Sequence, residues 1–191
     1  MKKNSAVAFL AAALLVAVAC GGRYWVAHRR AQASALALAQ AAQWSPAAQR
    51  AASLMIEQYG PPQETSVFQL RWYGPRPWKR IVIQNEPESP LEQVVAYDVP
   101  ANKRAALNRF PHGLQVYAAE GALSATSDRE SRNLLSLNLA NDIVIGRTTP
   151  EEANRSFVRT LELHDAGKST PYMEQLLFTA PRGPDYSFPI P

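Results

Sequence analysis

The residues best suited to chemistry lie between positions 71 and 80, where cations are interleaved with aromatic side chains. No acidic residue occurs in this stretch. Because arginine and lysine beside aromatic rings bind anionic groups through charge and stacking, the pattern predicts a surface for an anionic lipid headgroup, an acidic glycan or an acidic protein face. The structural alternative is that the aromatic residues fill the core while the cations face water. The candidate surface comprises Arg71, Trp72, Tyr73, Arg76, Trp78, Lys79 and Arg80.

A second candidate is a polar cluster on a predicted helix, formed by Asn138, Asn141 and Asp142. At 100° per residue these side chains fall within one arc of about 100°. Apolar residues surround them in sequence, so the helix is predicted to be buried, and buried polar groups need hydrogen-bond partners. The three residues therefore either brace neighbouring loops or line a pocket in which Asp142 acts as a general base.

Other catalytic patterns do not occur in the sequence. The three histidines, His28, His112 and His164, have no metal-ligand spacing. The chain contains no Gly-x-Ser-x-Gly nucleophile motif and no glycine-rich phosphate loop. We therefore expect no metal and no cofactor, and a binding role is favoured over an enzymatic one.

The charge of the chain argues against a nucleic-acid partner. The formal net charge is +4, with 20 basic and 16 acidic residues. Lys2 and Lys3 belong to a predicted targeting segment, and without them the excess is only about +2. This excess is too small to create the strong basic field that nucleic-acid binding requires.

The N-terminus determines where the rest of the chain is expected to work. Lys2 and Lys3 precede fourteen apolar residues, from Ala6 to Ala19, and the chain's single cysteine follows at position 20. A basic start, an apolar stretch and a small residue at the cleavage position are typical of a secretory signal. Residues 17–20 also resemble a lipoprotein signal, in which Cys20 would be acylated, although Ala17 replaces the usual leucine.

Two other readings of this segment remain open. Residues 5–22 are about as long as the shortest stretch that can span ~30 Å of hydrocarbon, which allows an uncleaved anchor. Simple cleavage or a reversed anchor is the other reading, because Arg23, Arg29 and Arg30 follow the apolar stretch and weaken the positive-inside bias. Each reading except simple cleavage attaches the chain to a membrane.

Alternation of apolar and polar residues predicts five strands. Their predicted ranges are 65–73, 78–84, 91–99, 114–119 and 122–126. The first two form a hairpin, and the last two are joined by a two-residue turn at Glu120 and Gly121.

Strong helix formers predict a helix over residues 29–43. Apolar patterns, capping residues and helix-ending residues predict the other main helices, with ranges 46–59, 102–110, 127–145 and 150–164. Ser127 with Glu130, and Thr149 with Glu152, have the spacing of capping boxes. The order of elements predicts an α+β fold, with an antiparallel sheet of four or five strands, helices packed on one face and a membrane-targeting helix ahead of them.

The predicted organisation has four parts. Residues 1–20 are the signal or anchor, residues 21–44 a helical spacer, residues 45–178 the α+β domain, and residues 179–191 a proline-rich tail.

Three segments of this domain are similar to an uncharacterised family of exported bacterial proteins. They are residues 55–62, residues 72–80 and residues 137–143. The resemblance implies a location in the cell envelope and brings no activity with it. We therefore expect a membrane-tethered, non-enzymatic binding or accessory domain on the periplasmic side of the inner membrane or at the outer membrane. The alternative is a small-molecule-binding domain or hydrolase with its pocket at Asn138, Asn141 and Asp142.

Overall fold

A computed structural model describes residues 25–168 and 170–179 of the chain. The predicted signal or anchor segment and most of the proline-rich tail lie outside these residues. Within the described part, no helix has the length and apolar character needed to cross a membrane.

The first described helix, α1, covers residues 25–41, and residues 25–32 of it are exposed. Its last turns are different, because Ala37, Ala41 and the following Trp44 are buried in the main core. The predicted spacer therefore consists of an exposed portion and a C-terminal portion that is packed into the domain.

Helix α2 spans Pro46–Tyr59, as its capping residues predicted. Ser45 caps the N-terminus by accepting a hydrogen bond from the backbone N–H of Ala48. Gly60 ends the helix with a positive φ of 79°. Pro61 and Pro62 follow and cannot continue it.

Six strands form one open antiparallel sheet in the order β1-β2-β3-β4-β6-β5. The strands are β1 (Glu64–Thr65), β2 (Gln69–Tyr73), β3 (Arg80–Gln84), β4 (Leu91–Ala96), β5 (Leu114–Tyr117) and β6 (Ala122–Ser127). The antiparallel α+β class is confirmed, but the expected number of four or five strands was too low.

The additional strand arises from a turn inside the first predicted strand. The Ser66 hydroxyl accepts hydrogen bonds from the backbone N–H groups of Phe68 and Gln69. This turn folds Glu64 and Thr65 back onto β2 as a short antiparallel strand. Alternation alone does not reveal such a turn, because the apolar pattern continues through it.

The two faces of the sheet differ in character. On the first face, pairs such as Leu70 with Ile83 and Val95 with Leu123 belong to the main core. The second face has a smaller apolar floor of Val82 and Val94, beneath long polar and aromatic side chains.

The remaining helices are α3 (Ala101–Leu107), α4 (Glu130–Val144), α5 (Pro150–Asp165) and the short α6 (Pro171–Glu174). Helix α3 lies between β4 and β5 in sequence, and the other three follow β6. Helix α4 contacts β6 and β4, while α3, α5 and α6 pack against α4. The capping box of Thr149 and Glu152 at the start of α5 is confirmed.

The predicted capping box of Ser127 and Glu130 was wrong. Ser127 is the last residue of β6, and the N-cap residue of α4 is Arg129, which makes no side-chain capping bond. Glu130 instead directs its carboxylate toward side chains of α2, β4 and the loop before β3.

The turn between β5 and β6 also differs from the prediction. A single 3-10 turn, Ala118–Glu120, is followed by Gly121 with a φ of 56°. The connection is therefore longer than the two-residue turn that was expected, and it holds Glu120 beside the cations of β3.

Candidate functional site

The structure separates the candidate surface of residues 71–80 into two groups. Trp72 and Trp78 lie in the main core and are 1% and 2% exposed. Arg71 and Arg80 lie on the second face of the sheet, as their strand pairing with Val82 and Val94 places them. The tryptophans are therefore not available to a ligand on this surface.

The remaining residues of the candidate surface are at least partly exposed. Tyr73 pairs with Arg80 across the two strands and lies on the same face. Lys79 is half-buried and reaches Glu120, whereas Arg76 is exposed in the turn between the strands.

A network of hydrogen bonds and ion pairs covers one half of the second face. The guanidinium of Arg71 lies 3.5 Å from the Glu64 carboxylate and donates to the Tyr73 hydroxyl at 3.1 Å. The Tyr73 hydroxyl donates in turn to Glu64 at 2.9 Å. The hydrogen bond to Tyr73 raises the pKa of Arg71, and the cation is therefore fixed in its charged state.

The other half of the second face has a similar arrangement. Arg80 lies 3.1 Å from the carboxylate of Glu120, and its guanidinium stands 5.1 Å from the ring centroid of Tyr117. The Tyr117 hydroxyl donates to Glu92 at 2.7 Å. Partial burial and, after it, this hydrogen bond raise the pKa of Tyr117 above its ordinary value.

The charges of this face are balanced. Three cations, Arg71, Lys79 and Arg80, are matched by three acids from outside residues 71–80: Glu64, Glu92 and Glu120. The surface is therefore polar and aromatic without being strongly electropositive. We define the polar-aromatic face as Glu64, Arg71, Tyr73, Arg80, Glu92 and Tyr117.

One donor of this face is left without a partner. The Nε atom of Arg71 is buried and forms no hydrogen bond with any described residue. Buried polar groups in native proteins are nearly always hydrogen-bonded. The guanidinium thus retains an unused donor between β1 and β3.

The polar cluster of α4 holds the C-terminal segment. Asn138 donates to the carbonyl oxygens of Tyr172 and Gln175, and its own side-chain oxygen accepts from the N–H of Leu177. Three backbone groups of one segment are thereby bound by a single buried amide.

The other two members of this cluster also have partners. Asn141 accepts a hydrogen bond from the Tyr97 hydroxyl at 2.9 Å. One oxygen of Asp142 lies 2.8 Å from Arg147, and the other accepts from the Tyr172 hydroxyl. The hydrogen bond to Asp142 raises the pKa of Tyr172.

The polar cluster lines neither of two shallow cavities at the surface of the domain. A cavity of about 240 Å³ lies between the end of α5 and α6 and includes His164 and Met173. Another of about 310 Å³ lies between α3 and the start of α5 and includes Lys103 and Ile143.

Sequence reasoning missed a partly buried polar junction centred on Glu130. One oxygen of its carboxylate accepts hydrogen bonds from the Tyr59 hydroxyl at 2.6 Å, the Trp78 indole N–H at 2.9 Å and the Gln93 amide at 2.8 Å. Burial and then the bond to Glu130 raise the pKa of Tyr59. Asn133 extends the junction by donating to the side-chain oxygen of Gln93.

The junction joins elements that are distant in sequence. Glu130 lies 71 residues from Tyr59, 52 from Trp78 and 37 from Gln93. The available sequence signal was a polar residue, Gln93, at an inward position of a predicted strand.

The histidines and possible metal ligands among the described residues provide no further candidate site. His112 stacks on Phe157 with ring centroids 3.7 Å apart and contacts Asn154 at 2.9 Å. Burial lowers the pKa of His112, which favours the neutral ring. Among residues 25–168 and 170–179, no three His, Cys, Asp or Glu side chains are grouped so that they could hold a metal ion.

The polar-aromatic face is thus the candidate functional site of the described residues. It offers planar rings and guanidinium groups together with hydrogen-bond donors and acceptors. Comparison with protein-family models, curated proteins and solved structures finds no match to this chain.

Proposed function

We propose that the chain is a membrane-tethered, non-enzymatic binding or accessory domain of the bacterial cell envelope. The apolar stretch that ends at Cys20 supports the tether. The exposed portion of α1, residues 25–32, supports a spacer between the tether and the domain.

The observation that carries the binding role is the polar-aromatic face. Arg71 pairs with Glu64 and Arg80 pairs with the neighbouring Glu120. The hydroxyls of Tyr73 and Tyr117 donate hydrogen bonds to Glu64 and Glu92. Because the charge is balanced, the face favours a ligand that both donates and accepts hydrogen bonds over a purely anionic headgroup. An envelope glycan fits this description, since its rings stack on aromatic side chains and its hydroxyl groups hydrogen-bond to charged ones.

The alternative of a small-molecule site or hydrolase centre in α4 gains no support from the geometry. Asn138 is engaged with backbone groups, and both oxygens of Asp142 are occupied. A general base must be within reach of its substrate, but Asp142 is only 4% exposed. These contacts instead favour a bracing role for the cluster.

A four-residue substitution tests the binding role. The full chain carries serine at Arg71, Arg76, Lys79 and Arg80. Its binding to peptidoglycan fragments is compared with wild type in detergent, and its binding to anionic vesicles is compared after the detergent has been removed. We expect glycan binding to fall at least tenfold, because the donors are lost and Glu64 and Glu120 become unpaired.

The matched control replaces Arg155 and Arg159, two exposed cations of α5, by serine. This variant should bind like wild type. Unchanged binding of the four-residue variant to glycans, to vesicles and to co-purifying proteins would remove the polar-aromatic face from the proposal.

The tether is tested by the intact mass of the protein extracted from membranes. A diacylated or triacylated N-terminus at Cys20 would identify a lipoprotein. An unprocessed start at Met1 would identify an uncleaved anchor. A mature mass without lipid, recovered in the soluble fraction, would contradict the tether.

A further inference from the structure

A second exposed feature lies at the end of the sheet where β2 begins and β3 ends. Phe68 is 78% exposed, and the preceding Val67 is 59% exposed. The pairing of Gln69 with Gln84 places the start of β2 beside the loop that follows β3. Two adjacent apolar side chains therefore project into solvent next to that loop.

This apolar pair is held in place by hydrogen bonds. The Ser66 hydroxyl accepts from the N–H groups of Phe68 and Gln69, and the N–H of Ser66 donates to the Gln69 carbonyl. The Trp44 indole donates to the carbonyl oxygen of Val67 at 3.1 Å. The loop is thus pre-ordered, which lowers the entropy cost of binding through Phe68.

The same region has an acidic rim. The backbone N–H of Ser45 donates to the side chain of Asn85, and its hydroxyl donates to the carbonyl oxygen of Glu86. Trp44 and Ser45 therefore hold both loops together. Glu86 and Glu88 are exposed, and residues 42–49, 63–69 and 84–91 contain no lysine or arginine. We define the acidic tip as Val67, Phe68, Glu86 and Glu88.

The acidic rim and the position of the tip both argue against lipid as its partner. Acidic side chains are repelled by anionic membrane surfaces. Helix α1 runs for about 25 Å from Trp25 to its C-terminal end, which leads into Trp44 and the tip. The apolar stretch that ends at Cys20 precedes the other end of this helix.

We propose that the acidic tip docks a protein partner whose surface has an apolar pocket bordered by lysine or arginine. Phe68 enters the pocket as an aromatic anchor of the kind that dominates binding energy at interfaces. Glu86 and Glu88 pair with the basic border, which speeds association and selects the partner by charge. This surface is separate from the polar-aromatic face, so either proposal can fail without the other.

Photocrosslinking of the full chain in its native membranes tests the proposal. A benzophenone amino acid replaces Phe68. The matched control carries the same amino acid in place of Leu36, a residue of α1 that is 70% exposed. We expect a discrete protein adduct from position 68 and none of the same mass from position 36. The adduct should decrease at least tenfold when Glu86 and Glu88 are both replaced by lysine.

The adduct partner, identified by mass spectrometry and purified, is then titrated with the unmodified chain. Phe68→Ser should weaken binding at least tenfold and Leu36→Ser less than twofold, with unchanged thermal unfolding in both variants. Crosslinking within the same chain, crosslinking to lipid, or an adduct that ignores the charge reversal would overturn the proposal.

Discussion

The Glu130 junction gives the most specific prediction about stability. Hydrogen bonds to a charged group contribute about 1.5–3 kcal/mol each, and three donors converge on one oxygen of this residue. The contributions do not add fully, because Trp78 can still donate to the Tyr59 hydroxyl at 2.9 Å. Gln93 is fully buried and has no other strong acceptor for its amide.

We therefore expect Glu130→Ala to lower the free energy of unfolding by about 3–4 kcal/mol. This is a large part of the 5–15 kcal/mol that is typical of a domain. Glu130→Gln keeps the shape and one carbonyl acceptor, so the loss should be about 1–2 kcal/mol. Urea denaturation followed by far-ultraviolet circular dichroism measures both values without relying on the fluorescence of Trp78.

Glu151 provides the matched control, since it also lies in the first turn of a long helix and is exposed. Interaction with the helix dipole contributes about 0.3–1 kcal/mol in both cases. Glu151→Ala should therefore cost no more than about 1 kcal/mol. If the two alanine variants lose equal stability, the junction contributes nothing beyond the dipole, and our reasoning about the three donors is refuted.

Two further predictions concern backbone geometry and pH. Gly113 has a φ of 70°, and a Cβ atom there would lie 2.2 Å from the carbonyl oxygen of Thr126. Gly113→Ala should therefore lower the free energy of unfolding by at least about 2 kcal/mol. Gly121 has a φ of 56° but open space around it, so Gly121→Ala should lower the free energy of unfolding by only about 1–2 kcal/mol. Chemical denaturation of both variants decides this, and equal losses would exclude the steric contact as the cause. Burial and the bond to Glu130 raise the pKa of Tyr59 above its ordinary value of 10, so the folded state holds this proton more tightly than the unfolded state. The stabilisation of the folded state by this proton is complete below pH 10 and is lost as the pH rises further. The upper limit of the loss is about 1.4 kcal/mol per pH unit, and partial solvation of the hydroxyl makes it smaller. Tyr59→Phe should therefore reduce the fall in the free energy of unfolding between pH 10 and 11. Three other tyrosines with raised pKa values contribute a background to this fall in both proteins. An unchanged slope of unfolding free energy against pH would contradict the role assigned to Tyr59.

Local sequence patterns predicted those parts of the fold that depend on neighbouring residues. Ser45, Pro46 and Gly60 define the ends of α2 through contacts within a few residues. The capping box of Thr149 and Glu152 is equally local. Both helices therefore lie where the capping signals placed them.

The same kind of pattern failed where a side chain had a stronger partner elsewhere. Ser127 and Glu130 have the spacing of a capping box, but the glutamate binds three donors that are 37 to 71 residues away. A local pattern contains no information about these distant groups. The capping interaction gave way because several charge-assisted hydrogen bonds outweigh a single helix cap.

The candidate surface shows the same limit. Alternation placed Trp72 and Arg71 on opposite faces of a strand, and the structure agrees. The acids that neutralise the cations come from β1, β4 and the turn before β6, and only the strand order brings them together. The balanced charge of the polar-aromatic face was therefore beyond the reach of the sequence.

The burial of the last turns of α1 has a mechanical consequence. Ala37 and Ala41 are packed into the core, so the helix cannot swivel independently of the sheet. If the N-terminus is held by a membrane, as we propose, α1 and the domain move there as one rigid unit. Any change in the direction of α1 then turns every surface of the domain with it.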